Sequence, residues 1–177
     1  MKLIILTGLP GTGKSTLAEA LGAYFSIPVF ARDWLEATLL RCKLQATQEN
    51  TSLSWAAYEL MTILSERQLM LEQSVILDSV AATQTIRSTW QTLAQKYKAD
   101  WLVIECTCSD ESIHRSRLED RRRGIPGWHE LTWSDIEKVK QYYSVWEAER
   151  LVLDMVQPFP ENFLKAKTYC ESVNSEI

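Results

Sequence analysis

The chain has 177 residues, 46% apolar and 24% charged. These ordinary globular proportions exclude collagen, coiled coil or disorder as whole-chain readings. A chain of this length buries about 70% of its unfolded surface, so one domain needs no disulfide or metal staple. The net charge of −4 argues against a surface that grips nucleic acid over its whole extent, and leaves room for a local basic patch.

Residues Lys2 to Thr7 form an apolar, β-branched run that stops at glycine, which suits a buried parallel strand. The run is too short for a signal-peptide core. No segment approaches the roughly 18 apolar residues of a membrane helix, and a cytoplasmic protein is expected. A helix should follow from near Gly13 to Tyr24, with Leu17, Ala20 and Leu21 inward. Pro28 to Ala31 reads as a second strand and Asp33 to Leu44 as a helix. Residues 45–53 are polar and read as a loop. Ser54 to Gln73 is a long helix, and Ser74 to Leu77 a third strand stopped at Asp78. Thr83 to Tyr97 is amphipathic, with Ile86, Trp90 and Leu93 at helical spacing.

Trp101 to Cys106 is the fourth strand. Ser109 opens the next helix, with Asp110 and Glu111 favourable to its dipole. Thr132 and Asp135 form a capping box for a helix with Ile136, Val139, Tyr143 and Trp146 on one face. Leu151 to Leu153 is the fifth strand, and Glu161 to Glu171 a terminal helix. The alternation means an α/β fold with a parallel sheet between helix layers, one domain over residues 1–177. The cysteines at 42, 106, 108 and 170 show no CxxC or zinc spacing and read as reduced, packed thiols.

Ligands of such a fold bind beyond the carboxyl ends of the strands. There lies Gly8-Leu9-Pro10-Gly11-Thr12-Gly13-Lys14-Ser15, which matches G-x-x-x-x-G-K-[ST]. Glycines let the loop curl so that backbone N–H groups converge on phosphate. Lys14 reaches the β- and γ-phosphates, and the Ser15 hydroxyl ligates Mg²⁺ at a helix N-terminus. A chance match in such a chain has a likelihood on the order of 1%. The expected ATP-binding residues are Gly8, Gly11, Thr12, Gly13, Lys14, Ser15 and Thr16.

The loop GLPGTGKST, the Arg32-Asp33 pair, VILD ending at Asp78, and HRSRLEDRRRG followed by IPGWHELTW give the chain a resemblance. It resembles the small P-loop kinases, which include adenylate, shikimate and gluconate kinases. Within them it is similar to the branch holding the polynucleotide 5′-hydroxyl kinase domain and the zeta-toxin-like kinases. The resemblance covers nearly the whole chain. It implies the three-layer P-loop NTPase fold, with a five-stranded parallel sheet in order 2-3-1-4-5. It also implies an arginine-bearing lid over about 115–130 and an acceptor-binding region over about 33–73.

Residue by residue, the resemblance makes Asp33 the group that orients or deprotonates an attacking hydroxyl. A helix N-cap is the plainer alternative. Arg32 would bind substrate or phosphate; its plainer alternative is a surface ion pair. Asp78 would hold Mg²⁺ through a water, making Ser15 and Asp78 the metal residues. Ser79 stands where motor ATPases keep a glutamate, which favours transfer over hydrolysis. Five of ten arginines lie at Arg115, Arg117, Arg121, Arg122 and Arg123. Arg117 and Arg121 are four apart, on one helix face, and are the expected catalytic lid arginines beside Lys14. Gly124 and Gly127 would hinge the lid, whose arginines repel one another until an anion arrives. A solvated face paired with Glu119 and Asp120 is the alternative. His114 and His129 read as structural or surface residues. Trp55, Tyr58 and Met61 read as core or wall.

The expected function is ATP-dependent phosphotransfer, with Mg²⁺, to a hydroxyl of a small molecule. A nucleic acid 5′-end, which would need a basic groove, stays open as acceptor. So do an activated sugar and a regulatory module that binds nucleotide without a dedicated acceptor. No membrane or obligate protein partner is legible.

Overall fold

Five apolar strands meet in one sheet: β1 (Lys2–Thr7), β2 (Val29–Ala31), β3 (Val75–Asp78), β4 (Asp100–Thr107) and β5 (Leu151–Asp154). The computed structural model describes residues 1–43 and 52–172. The order is β2-β3-β1-β4-β5, and every pairing is parallel. This is the order and architecture the sequence implied. The helices are α1 (Lys14–Phe25), α2 (Arg32–Arg41), α3 (Leu53–Met70), α4 (Gln84–Tyr97), α5 (Glu111–Asp120), α6 (Trp133–Tyr142) and α7 (Phe159–Ser172). Among the described residues no helix is long and apolar enough to cross a membrane.

The period of two along each strand divides the core into two layers. Leu3, Ile5, Val75, Leu77 and Val103 pack with Met61 of α3 and Trp90 of α4. Ile4, Leu6, Ile76 and Ile104 pack with Leu17 and Leu21 of α1 and Ala166 of α7. Trp90 is fully buried, and its indole N–H donates to Thr62 Oγ1 at 2.9 Å, which removes the cost of burying that donor. Cys106 and Cys170 are buried in the second layer.

Two boundaries differ from expectation, and one lies outside the described residues. Leu44 and most of the polar loop at 45–53 lie outside the described residues. Asp110, not Ser109, caps α5: its Oδ1 accepts the N–H groups of Ser112 and Ile113 at 2.8 and 3.1 Å. Ser109 is instead tied to Asp154 at 2.6 Å. The capping box of α6 is present, with Asp135 Oδ2 accepting the Thr132 N–H at 3.0 Å. That helix stops at Tyr142, however, and Tyr143 and Trp146 lie beyond it.

Arg87 accounts for the early stop. It is buried and donates to the carbonyls of Ala81, Ser144 and Val145 at 2.7, 2.7 and 3.0 Å. Its guanidinium lies 3.9 Å from the Trp146 ring centroid. The Ser144 N–H donates to Ala82 O at 2.8 Å. These bonds satisfy the Ser144 N–H and the Ser144 and Val145 carbonyls outside a helix. Arg87→Met keeps the stem and removes the donors, leaving three carbonyls to find others. An expected loss of about 2–4 kcal/mol follows, read as a lowered denaturation midpoint. An unchanged midpoint would show that the segment holds itself.

Candidate functional site

The loop between β1 and α1 takes its shape from short contacts. Gly8 has φ 133°, and a Cβ there would overlap the Cys106 carbonyl oxygen, so only glycine fits. Thr12 Oγ1 donates to Leu9 O at 2.9 Å, which makes Thr12 a loop-shaping residue. His114, buried on α5, bonds the Pro10 carbonyl through Nε2 at 2.7 Å. A carbonyl only accepts, so Nε2 carries the proton. His114 is therefore structural, as expected, and it sits directly under the loop. Gly13 caps α1 in a left-handed conformation, and no acid lies in the first turn of that helix. The leading N–H groups of α1 lack intrahelical acceptors and form an anion-binding end.

Lys14 and Asp78 are 6% and 5% exposed. Burial pushes the Lys14 ammonium down to about 8; Asp78 opposes that shift, while Arg121 and Arg123 add to it. Burial also raises the Asp78 carboxyl, against the pull of Lys14 and the Ser15 hydroxyl. Asp78 is in register with Leu6 on one side and Ala31 on the other, so the sheet itself sets it beside the loop. Its Oδ1 is buried without a hydrogen-bond partner. An unpartnered carboxylate oxygen beside a hydroxyl is an all-oxygen donor pair that fits Mg²⁺, which keeps several waters and takes phosphate oxygens. Among the described residues no cluster of three or more His, Cys, Asp or Glu could hold a metal unaided.

Asp33 is the second residue of α2, and Ala31 is the N-cap, so the capping alternative does not hold. Its carboxylate accepts from Arg32 at 3.1 Å and is ion-paired with Arg123. Arg32 also pairs with Glu36 and donates to Ser54 Oγ at 2.8 Å. Its side chain is 16% exposed, which rules out a plain surface ion pair. Its guanidinium lies 5.7 and 5.9 Å from the ring centroids of Tyr58 and Trp128.

Arg123 is the residue that sequence reasoning missed. Its side chain is 9% exposed, and it reaches both Asp33 and Ser15 Oγ, the latter at 3.3 Å. Its backbone N–H donates to Glu130 Oε1 at 2.9 Å. Helical spacing could not single it out, because α5 ends at Asp120 and Arg121 is extended at φ −68°, ψ 133°. Arg117 and Arg121 therefore do not share a helix face, although both line the same cleft. Three of the other arginines have local acceptors. Arg117 donates to Met155 O at 2.8 Å, Arg122 to Arg121 O at 2.7 Å, and Arg115 pairs with Glu111 at 3.4 Å. Gly127 has φ 79°, and a Cβ there would overlap Arg41 Cγ, so it serves close packing against α2.

Two clefts result. The first, about 520 Å³, is lined by Gly11 to Thr16 of the loop and by Arg117 and Arg121 to Arg123. The second, about 360 Å³, is lined by Pro10, Arg32, Glu36, Trp55, Tyr58 and Trp128 among others. Asp33 binds a wall residue of each: Arg123 of the first, Arg32 of the second.

A phosphate loop between β1 and α1, an acid ending β3 and this sheet order define a P-loop NTPase of the small-kinase type. The chain belongs to the KTI12 family: the family model described as chromatin associated protein KTI12 matches residues 1–161. Solved structures share the fold over nearly their whole length. A Janibacter sugar kinase aligns at TM-score 0.71 and 15% identity, covering 97% of this chain and 95% of its own. Chaetomium thermophilum Kti12, solved with ADP-AlF3, aligns at 0.68 and 21%, covering 94% and 98%. A Sinorhizobium meliloti gluconokinase aligns at 0.65 and 16%, covering 99% and 98%. At such identities the likeness is one of fold. No curated relative matches the chain significantly.

Proposed function

We propose that the chain binds Mg·ATP in the first cleft and transfers its γ-phosphoryl group to a hydroxyl of a small molecule held in the second. The observation that carries this is the position of Asp33, bonded to one wall residue of each cleft. The loop N–H groups, Lys14 and Arg121 hold the triphosphate. Mg²⁺ at Ser15 and Asp78 would supply charge neutralisation across the β- and γ-phosphates. Asp33 takes the hydroxyl proton as the oxygen bonds to the γ-phosphorus and the bond to the β-bridging oxygen breaks, releasing ADP. For this, Arg123 exchanges Asp33 for the incoming phosphate. Arg115 is paired with Glu111, and Arg117 donates to the Met155 carbonyl. That commitment favours a small acceptor over a nucleic acid 5′-end. Incubation with γ-labelled ATP and a metabolite panel tests the reading: label should move to a non-nucleotide product.

The family description favours a second reading, in which nucleotide occupancy controls association with a macromolecular partner. ATP consumption indifferent to every acceptor, with ATP-dependent partner binding, would select it.

Lys14 gives a pH test of the donor site. Its lowered value of about 8 leaves about half the side chains neutral at pH 8, and bound phosphates favour the charged form. Nucleotide binding should then take up about 0.5 proton at pH 8 and almost none at pH 6.5, and affinity should weaken as pH rises above 8. Calorimetry in buffers of different ionisation enthalpy reads the uptake. Equal uptake in Lys14→Met would assign it elsewhere.

A further inference from the structure

The outer face of α3 is apolar along its whole length. Ile63 is 55% exposed, and Trp55, Leu60 and Met70 on the same helix, with Leu71 at its C-cap, are exposed beside it. Single exposed apolar side chains are ordinary, but a contiguous stripe marks an interaction surface. We propose that this stripe joins two copies of the chain, with their α3 helices antiparallel about a twofold axis at Ile63.

The order of residues along α3 points to a second copy. With a rise of about 1.5 Å and a turn of about 100° per residue, Glu59 lies about 6 Å before Ile63 and about 40° to one side. Arg67 lies about 6 Å after Ile63 and about 40° to the other side. A twofold axis through Ile63 reverses both displacements, so Glu59 of each copy faces Arg67 of the other. Both side chains are exposed. Within one copy they stand about 12 Å apart along the helix and do not pair. Among the described residues Glu59 has no side-chain partner, and Arg67 has the Met70 thioether alone, at 3.8 Å.

The same operation suits the rest of the stripe, as a twofold contact requires. Ile63 meets itself. Met70 falls on Ala56, a long flexible side chain over a small one. Leu60 falls on Glu66, whose carboxylate is already held by Lys96 and Tyr97 at 2.6 and 2.9 Å. Trp55 falls on Leu71. Trp55 is also a wall of the second cleft, so each copy brings the end of its α3 beside the other's cleft. A parallel pairing would instead set Glu59 near Glu59 and Arg67 near Arg67. Exposed charge pairs add little affinity but fix orientation.

Other occupants fit less well. Residues 44–51, which precede α3, carry Leu44 as their one large apolar side chain. The chain beyond α7 leaves from the opposite face of the sheet, because α7 packs in the layer of Ile4 and Leu6 and α3 in that of Leu3 and Ile5. An unrelated protein would not require the self-complementary order of Glu59, Ile63 and Arg67. One helix face offers fewer residues than the roughly 20–30 a side of a standard interface, so the dimer is weak and concentration-dependent.

Sedimentation velocity over a concentration series tests the pairing. The mass should rise from the 20.4 kDa of one chain toward twice that value, with a dissociation constant in the micromolar range or weaker. Ile63→Glu, at an exposed position outside the core clusters, should abolish the rise and leave the thermal melt unchanged. Glu59→Arg and Arg67→Glu each set like charges face to face and should weaken association several-fold. Combined in one chain they restore opposite charges and should recover it, which unspecific apolar clustering would not do. If Ile63→Glu melts lower than the parent, the charge series decides, since it changes exposed side chains alone. A chain that stays monomeric up to its highest soluble concentration overturns the inference. So do a dimer indifferent to Ile63→Glu, single reversals without effect, and single reversals that the combination fails to rescue.

Discussion

Lys14→Ala is expected to lower phosphoryl transfer by about 10³-fold, the scale of removing one preorganised donor from a developing anionic charge or somewhat above it. The ammonium is 6% exposed and lies in the field of Asp78, Arg121 and Arg123, so water cannot easily replace it. The fold should survive, because the residue opens α1 and contributes no apolar packing to the core clusters. Stability can even rise slightly, since the protein no longer desolvates that charge, though Asp78 then loses its nearest cation. Steady-state turnover and a thermal melt check both halves. Turnover within a few-fold of wild type would remove the donor site from the loop.

Asp33→Asn is expected to cut transfer by roughly 10²–10⁴-fold, the usual worth of a positioned base. Nucleotide affinity should move the other way. The carboxylate holds Arg123, and Arg123 reaches Ser15; an amide holds it less firmly and leaves it free for phosphate. An apparent ATP affinity a few-fold tighter, with transfer collapsed, is the combination that separates a catalytic carboxylate from a structural one. A variant that melts lower and turns over normally would make Asp33 an ion-pair anchor for α2 and nothing else.

Most of the fold was legible because its determinants are local. Each strand is a short apolar run bounded by turn residues, and the phosphate loop is a contiguous motif whose glycines have no other economical reading. The family was not: the features pointed to the small P-loop kinases, and KTI12 membership came from the family model. What escaped was set by distant partners. Ile136, Val139, Tyr143 and Trp146 keep helical spacing, yet α6 ends at Tyr142 because Arg87, about sixty positions earlier, takes the next carbonyls. The run Arg121-Arg122-Arg123 carries no sign of which arginine turns inward. Arg123 does so because Asp33, 90 positions away in the chain, lies within its reach. The pairing of Trp128 with Arg32 is equally invisible to periodicity.

The bridge from Arg123 to Asp33 and Ser15 gives the resting protein an occupant of its own. On the phosphotransfer reading, a triphosphate entering the first cleft displaces this ion pair, and its apparent dissociation constant is the intrinsic one divided by the fraction of molecules with the bridge open. Orthophosphate or a nucleoside monophosphate recovers few contacts in return. On the same reading, a triphosphate would engage the loop, Lys14 and the released arginine together. The expected result is a threshold: the abundant small phosphates of a cell leave the cleft empty, and only a ligand long enough to reach the bridge opens it.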